Sequence, residues 1–150
     1  MNSGMLELYK ALILEHHRHP RHYGVASDPT HKFTGFNQVC GDKVELFMVL
    51  SQGVIKEVTF TAKSCALCRA SASIMCDFFS GMELSGAVSS AEEFAGFLAG
   101  KSDKIDPSLE HLGVVRNFSA RVNCVKLPWA SFLEGIGGRE SLSTETFGSL

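Results

Sequence analysis

Apolar positions fall into two different rhythms along the chain, and the change of rhythm sets out its elements. Near the start, Leu6, Tyr9, Ile13 and His16 or His17 recur at three-to-four spacing, with Leu8 and Leu12 beside them. This predicts an amphipathic helix from about Gly4 to His17, ended by Pro20. Residues 18–32 are rich in turn formers and read as a long loop. The rhythm then changes. Phe33–Phe36 reads as a short strand, while KVELFMVL (43–50) and VIKEVTFT (54–61) are dense in β-branched and aromatic residues. Ser51-Gln52-Gly53 between them predicts a hairpin with a three-residue turn.

The helical rhythm returns at Ser64–Phe79, where Ser64 is a candidate N-cap. Gly81 and Gly86 interrupt it. A second helix, AEEFAGFLAG, is expected after a cap at Ser89 or Ser90, with both glutamates in its first turn. Residues 101–113 are polar, contain a proline and read as a connector, and a last helical region runs from about Ser119 to Ile136. There Pro128 cannot donate to the carbonyl of Cys124, which predicts a kink or restart and an accessible Cys124. Strands first and helices afterwards indicate an α+β fold: a small antiparallel sheet of about three strands with helices on one face. The expected organisation is a single domain over residues 1–136, followed by a mobile tail over 137–150.

Composition narrows the function classes. At 150 residues the chain can bury a core without staples, and 45% hydrophobic residues with a mean hydropathy of +0.08 fit a folded domain. A net charge of −2 offers no basic field for a phosphate backbone, so no nucleic-acid partner is expected. No apolar run is long enough for a bilayer span, so no membrane partner is expected either. MNSGMLELYK lacks a basic region followed by an apolar stretch, so the expectation is a cytoplasmic protein.

Candidate chemistry lies in five cysteines, an odd number that argues against a disulfide framework. Cys40 sits in Val39-Cys40-Gly41-Asp42, the turn into the hairpin, with a carboxylate two residues away. Cys65 starts a helix, where free N–H groups and the helix dipole favour thiolate. Cys124 lies in the last helix, three residues after Arg121. Three thiols and one carboxylate suffice for a tetrahedral metal, although the spacing alone equally allows buried or incidental cysteines. Cys65-Ala66-Leu67-Cys68 is also a C-x-x-C, open to a redox reading or to packing. Cys76, three turns beyond Cys65, reads as core. Five of the six histidines (His16, His17, His19, His22 and His31) cluster around the first loop, where a solvated helix end is the simpler explanation than a metal site.

Four segments together resemble the NifU N-terminal/IscU/SufU family of iron–sulfur cluster assembly proteins: His16–Gly24, Cys40-Gly41-Asp42, Ser64–Ser73 and Arg121-Val122-Asn123-Cys124. The resemblance covers about residues 5–136. It is closer to the SufU branch, because Asn123 stands where the scaffold branch has histidine and GMELSGAVSSAEEFAGFLAGKSDKIDP resembles the SufU insertion. The resemblance implies Cys40, Asp42, Cys65 and Cys124 as zinc ligands. It also implies a sulfurtransferase role in which Cys40 accepts persulfide sulfur from a cysteine desulfurase, with Arg121 a cation beside the site. Cys124 is the matching acceptor in the scaffold branch. There the cofactor is iron or a transient [2Fe–2S] cluster, passed to downstream cluster-assembly proteins.

Overall fold

A computed structural model describes residues 3–137 and 141–143 of the chain. Its first helix, α1 (Ser3–Arg18), places Tyr9, Leu12 and Ile13 against the core, as the apolar spacing predicts. Strands β1 (His31–Asn37), β2 (Asp42–Ser51) and β3 (Val54–Lys63) form an antiparallel sheet in the order β3-β2-β1. The β2–β3 turn is tighter than expected. Ser51 pairs with Val54, leaving only Gln52 and Gly53, at φ 53° and 76°, in the turn. Two successive left-handed residues match the right-handed twist of the strands, which is why a two-residue turn wins over a three-residue one.

Alternation within the strands decides which face is covered. In β1 the buried positions are Phe33, Gly35 and Asn37, all on one side of the pleat. Against this face packs α5 (Val122–Ile136), and the approach is close at two glycines. A Cβ on Gly35 would overlap the Ser131 hydroxyl, and one on Gly135 would fall 2.2 Å from the Phe33 ring. Beside α5 lies α2 (Ala66–Phe79), which also packs on β3 and on α1. The resulting core joins Phe60, Met75, Phe79, Phe94, Leu112, Trp129 and Phe132 in one cluster.

Several helix boundaries differ from the sequence reading. Cys65, not Ser64, is the N-cap of α2, its sulfur accepting the Cys68 N–H at 3.4 Å. Helix α3 (Leu84–Leu98) begins at an Glu83 cap and runs through Gly86, Ser89 and Ser90. Burial of Ala87, Ala91, Phe94 and Leu98 along one stripe outweighs the weak propensity of those residues. Within the expected connector, Asp106 caps a 3-10 turn at Pro107–Leu109, and the four-residue α4 (Glu110–Gly113) follows, burying Leu109 and Leu112.

Helix α5 does not restart at Pro128, which lies inside it. Packing holds it there. Ser71 of α2 donates to the Val125 carbonyl at 2.6 Å, while the Trp129 indole N–H donates to Ser71 at 2.9 Å. Cys124 is accordingly buried, not exposed. Of the expected tail, residues 138–140 and 144–150 lie outside the described residues. Ser141–Ser143 form β4, a short strand parallel to β1 at the sheet edge.

Candidate metal centre

The site is assembled from three sequence-distant pieces at one corner of the sheet. The first is the β1–β2 turn. Asn37 closes β1 opposite Asp42, and its side-chain oxygen accepts the N–H groups of Val39 at 3.2 Å and Cys40 at 3.4 Å. The Asn37 carbonyl accepts the Gly41 N–H at 2.8 Å, and Gly41 takes φ 74°, which a β-carbon would strain. This turn leaves Cys40 exposed at its tip while Asp42, one residue into β2, is buried. Asn37 was not singled out in the sequence. An Asn three residues before a Cys-Gly pair is an Asx-turn signal that would have found it.

The second piece is the start of α2. Asp42 accepts the Cys65 N–H through Oδ1 at 2.9 Å, and its Oδ2 lies 3.7 Å from the Cys65 sulfur. The third is the first turn of α5, which brings the Cys124 sulfur to 3.8 Å from that of Cys40. Ligand atoms of Cys40, Asp42 and Cys124 all lie within 4.8 Å of one another, the grouping of this kind found among the described residues. Cys65 joins it through Asp42 and through a thiol–thiol contact with Cys124.

Two edges of the site match a tetrahedral ion, while the mutually close group itself holds Cys40, Asp42 and Cys124 without Cys65. With zinc–sulfur bonds of about 2.3 Å, two thiolates on a tetrahedron sit about 3.8 Å apart, and a thiolate–carboxylate edge is about 3.6 Å. The observed 3.8 Å and 3.7 Å lie on those edges. The thiols are also electrostatically unequal. A hydrogen bond from Cys124, helped by the N–H groups of Cys68 and Leu67 and opposed by burial, holds the Cys65 pKa down to about 6. The same sharing of one proton, reinforced by burial, pushes the Cys124 thiol up.

Arg121 precedes Cys124 as the exposed N-cap residue of α5 and lines an open groove of about 450 Å³ with Tyr9, Ile13, Leu67 and Cys65. Tyr9 stacks on Phe118 there, with centroids 6.0 Å apart. Cys68 and Cys76 are fully buried. Of the clustered histidines, His17 lines the groove beside Cys65, while His16 bonds Ser73 at 2.7 Å, His22 bonds Asp77 at 3.1 Å and His31 bonds Thr30 at 2.8 Å.

With this geometry in view, the NifU-like N terminal domain family model matches residues 8–114. The chain belongs to that family. Family relatives extend the match over nearly the whole chain. It is 31% identical over 142 residues to the zinc-dependent sulfurtransferase SufU of Bacillus subtilis, covering 93% of this chain and 96% of the relative. It is 27% identical over 132 residues to the iron–sulfur cluster assembly scaffold protein IscU of Thermotoga maritima, covering 86% and 92%. A crystal structure of a candidate SUF-system scaffold protein from Fervidobacterium islandicum shares the fold. It has a TM-score of 0.78 at 24% identity and covers 90% of this chain and 99% of that one. The α+β NifU-like fold and the place of the chain among iron–sulfur cluster assembly proteins are thus shown. Among the described residues no helix is long and apolar enough to cross a membrane.

Proposed function

We propose that this chain is a zinc-dependent acceptor of persulfide sulfur from a cysteine desulfurase in iron–sulfur cluster assembly. The observation that carries this reading is the exposed Cys40 on a pinned turn, 3.8 Å from a buried Cys124 and beside Asp42 and Cys65. Cys40 is the thiol a partner can reach, while Asp42, Cys65 and Cys124 sit behind it. Zinc held by Cys40, Asp42, Cys65 and Cys124 would keep the thiols deprotonated at neutral pH. In the transfer itself, the Cys40 sulfur attacks the terminal sulfur of the donor persulfide and the donor thiolate leaves. Arg121 supplies a cation at the rim of the adjoining groove, where it favours thiolate and persulfide anions. Similarity to the Bacillus subtilis sulfurtransferase supports the reading. The proposed location is the cytoplasm, where such thiols stay reduced.

A second reading is supported by the Thermotoga maritima relative: the same donors can hold a transient [2Fe–2S] cluster as cargo for downstream assembly proteins. Asn123 weighs against it, because it stands in the position before Cys124 where the scaffold branch has histidine. One experiment separates the two. The zinc-loaded chain is incubated without oxygen or iron with a cysteine desulfurase and cysteine, then mapped by peptide mass. Persulfide on Cys40 with stimulated turnover supports the acceptor. No persulfide, but a coloured cluster once iron is added, supports the scaffold. In either case Asp42→Asn lowers metal affinity by at least about tenfold, the loss typical of even an outer-shell partner.

A further inference from the structure

Cys68 has no role in the transfer proposed above, yet it lies one helical turn from Cys65. Cys65 is the N-cap of α2 and Cys68 its third residue, with the Cys68 N–H donating to the Cys65 sulfur at 3.4 Å. Residues three apart at a helix start share a face, with Cβ atoms about 5–6 Å apart. A disulfide spans about 3.5–4.5 Å between Cβ atoms, so closure asks for a small shift in the first turn. That turn carries the backbone N–H groups without intrahelical partners and is the easiest part of a helix to move. Cys68 is fully buried, and burial pushes its thiol up, so it waits as a protonated thiol behind the helix start until Cys65 is oxidised. Cys65 differs in one respect. It lines the open groove of about 450 Å³ beside Tyr9, Ile13 and Arg121, so a small solute can reach it there.

We infer that Cys65 and Cys68 form a hydroperoxide-responsive dithiol, in which Cys68 resolves oxidation of Cys65 and the resulting disulfide withdraws Cys65 from the donor set. In the first step the Cys65 sulfur attacks a peroxide oxygen and the O–O bond breaks. The alcohol or water leaves with a proton from solvent, and the sulfur, oxidised by two electrons, becomes a sulfenic acid. In the second, Cys68 loses its proton and attacks the Cys65 sulfur. The S–O bond breaks, the S–S bond forms and water leaves. The net change is two thiols and one hydroperoxide to a disulfide, an alcohol and water. Cys124 offers two competing pairs, one with Cys40 at 3.8 Å and one with Cys65, whose thiol it contacts, so the outcomes have to be told apart by position. Disulfide closure is independent of the proposed sulfur transfer. Only its consequence, metal release, rests on that reading.

Trypsin makes the distinction direct. Cleavage after Lys63 and Arg69 isolates SCALCR, which holds both thiols, while Cys40 and Cys124 fall in peptides 33–43 and 122–126. The full chain, zinc-loaded and metal-free in parallel, is treated with hydrogen peroxide, blocked with an alkylating agent and digested. The expected result is an unalkylated SCALCR lighter by two hydrogens, with zinc released in proportion from the loaded sample. In Cys68→Ser the SCALCR disulfide cannot form. The same peptide should instead gain two oxygens at Cys65 or appear cross-linked to peptide 122–126 through Cys124, the thiol in contact with it. Cys68→Ala, with the melting curve of each variant, controls for packing. A SCALCR peptide that remains alkylated at both thiols, a wild-type SCALCR cross-linked to peptide 122–126 with Cys68 alkylated, or a wild-type Cys65 that overoxidises beside a free Cys68, overturns the inference. A chain that closes the disulfide yet binds no zinc keeps the dithiol and sinks the zinc reading instead.

Discussion

The two ends of α2 carry the same side chain and treat it in opposite ways. Cys65 caps the N-terminal end. There its sulfur meets two helix N–H groups and the Cys124 thiol, and its pKa is held down to about 6. Cys76 lies eleven residues on, about 16 Å along the axis at ~1.5 Å per residue. It is fully buried, and loss of solvent pushes its thiol up, with Asp77 adding to the effect. One end is an anion site with open backbone donors, and the other is part of an aromatic core. Phe79 meets Phe132 at 4.6 Å and Trp129 at 5.5 Å, and Phe94 meets Trp129 at 4.7 Å. The contrast teaches that cysteine count says little about chemistry here. Burial and access to the open N–H groups of the helix start decide it, since Cys68 in the same first turn is buried and its thiol is pushed up like that of Cys76.

The largest test of that separation is Trp129→Ala. Trp129 is fully buried, packs on three aromatic rings and donates to Ser71, so its truncation should cost about 3–5 kcal/mol. Cys124 is five residues away on the same helix, and sites separated by more than ~7–10 Å are usually near-additive. Chemical denaturation should therefore show the full loss, while zinc affinity of the chain that remains folded changes by less than about threefold. A large drop in affinity at low temperature would mean that the aromatic core and the metal corner are one unit.

A smaller effect sharpens the other end. In the metal-free chain, alkylation of Cys65 should rise with pH to a midpoint near 6 and then level off, while Cys76 stays unmodified. Time-resolved alkylation with peptide mapping reads both thiols at once. The linked stability has a defined sign. The folded pKa is about 6 and the unfolded value about 8.5, so between them the unfolded chain holds the proton that the folded chain has lost. Stability from this group is complete above about pH 8.5 and is lost as the pH falls through about 6. An alkylation midpoint near 8.5, the ordinary thiol value, would remove the electrostatic half of the comparison.

How much of this was legible in the sequence follows from the range of the interactions involved. Local periodicity located α1, the hairpin and α2, because their apolar residues repeat within one element. It placed the start of α3 wrongly, since Ser89 and Ser90 offered caps that the buried stripe from Ala87 to Leu98 overrides. The continuity of α5 through Pro128 was also illegible, for the same kind of reason. It depends on Ser71, 54 residues away from Val125 in sequence. At the site, Cys40, Asp42, Cys65 and Cys124 stood out as three thiols and a carboxylate whose spacing left a metal site open, the resemblance made them zinc ligands, and the fold brings them to one corner. Their unequal proton affinities were not readable, because they arise from a contact between Cys65 and Cys124 that no local pattern encodes. Cys65 as N-cap was half-visible: the helix start was clear, but a thiol is an unusual cap beside a serine.

Midway along α2 the smallest effect tests where the polar end stops. Ser73 is fully buried, and its oxygen accepts the Arg21 N–H at 2.7 Å while lying 2.7 Å from His16 Nδ1. With one proton and two lone pairs, the hydroxyl can meet His16 in either tautomer while accepting from Arg21. Burial lowers the His16 pKa first, the Arg21 cation lowers it further, and Asp77 and Glu15 only partly oppose this. As pH falls below the ordinary histidine value of about 6.5, the unfolded chain takes up a proton before the folded one does. The contribution is therefore full above about pH 6.5 and declines as the medium is acidified through the lowered folded value. Urea unfolding midpoints of the wild type should fall between neutral and mildly acidic pH by more than those of His16→Gln, whose amide can still meet Ser73. Equal slopes would show that His16 titrates alike in both states. The polar character of α2 would then end within its first turn, with Ser73 belonging to the inert side.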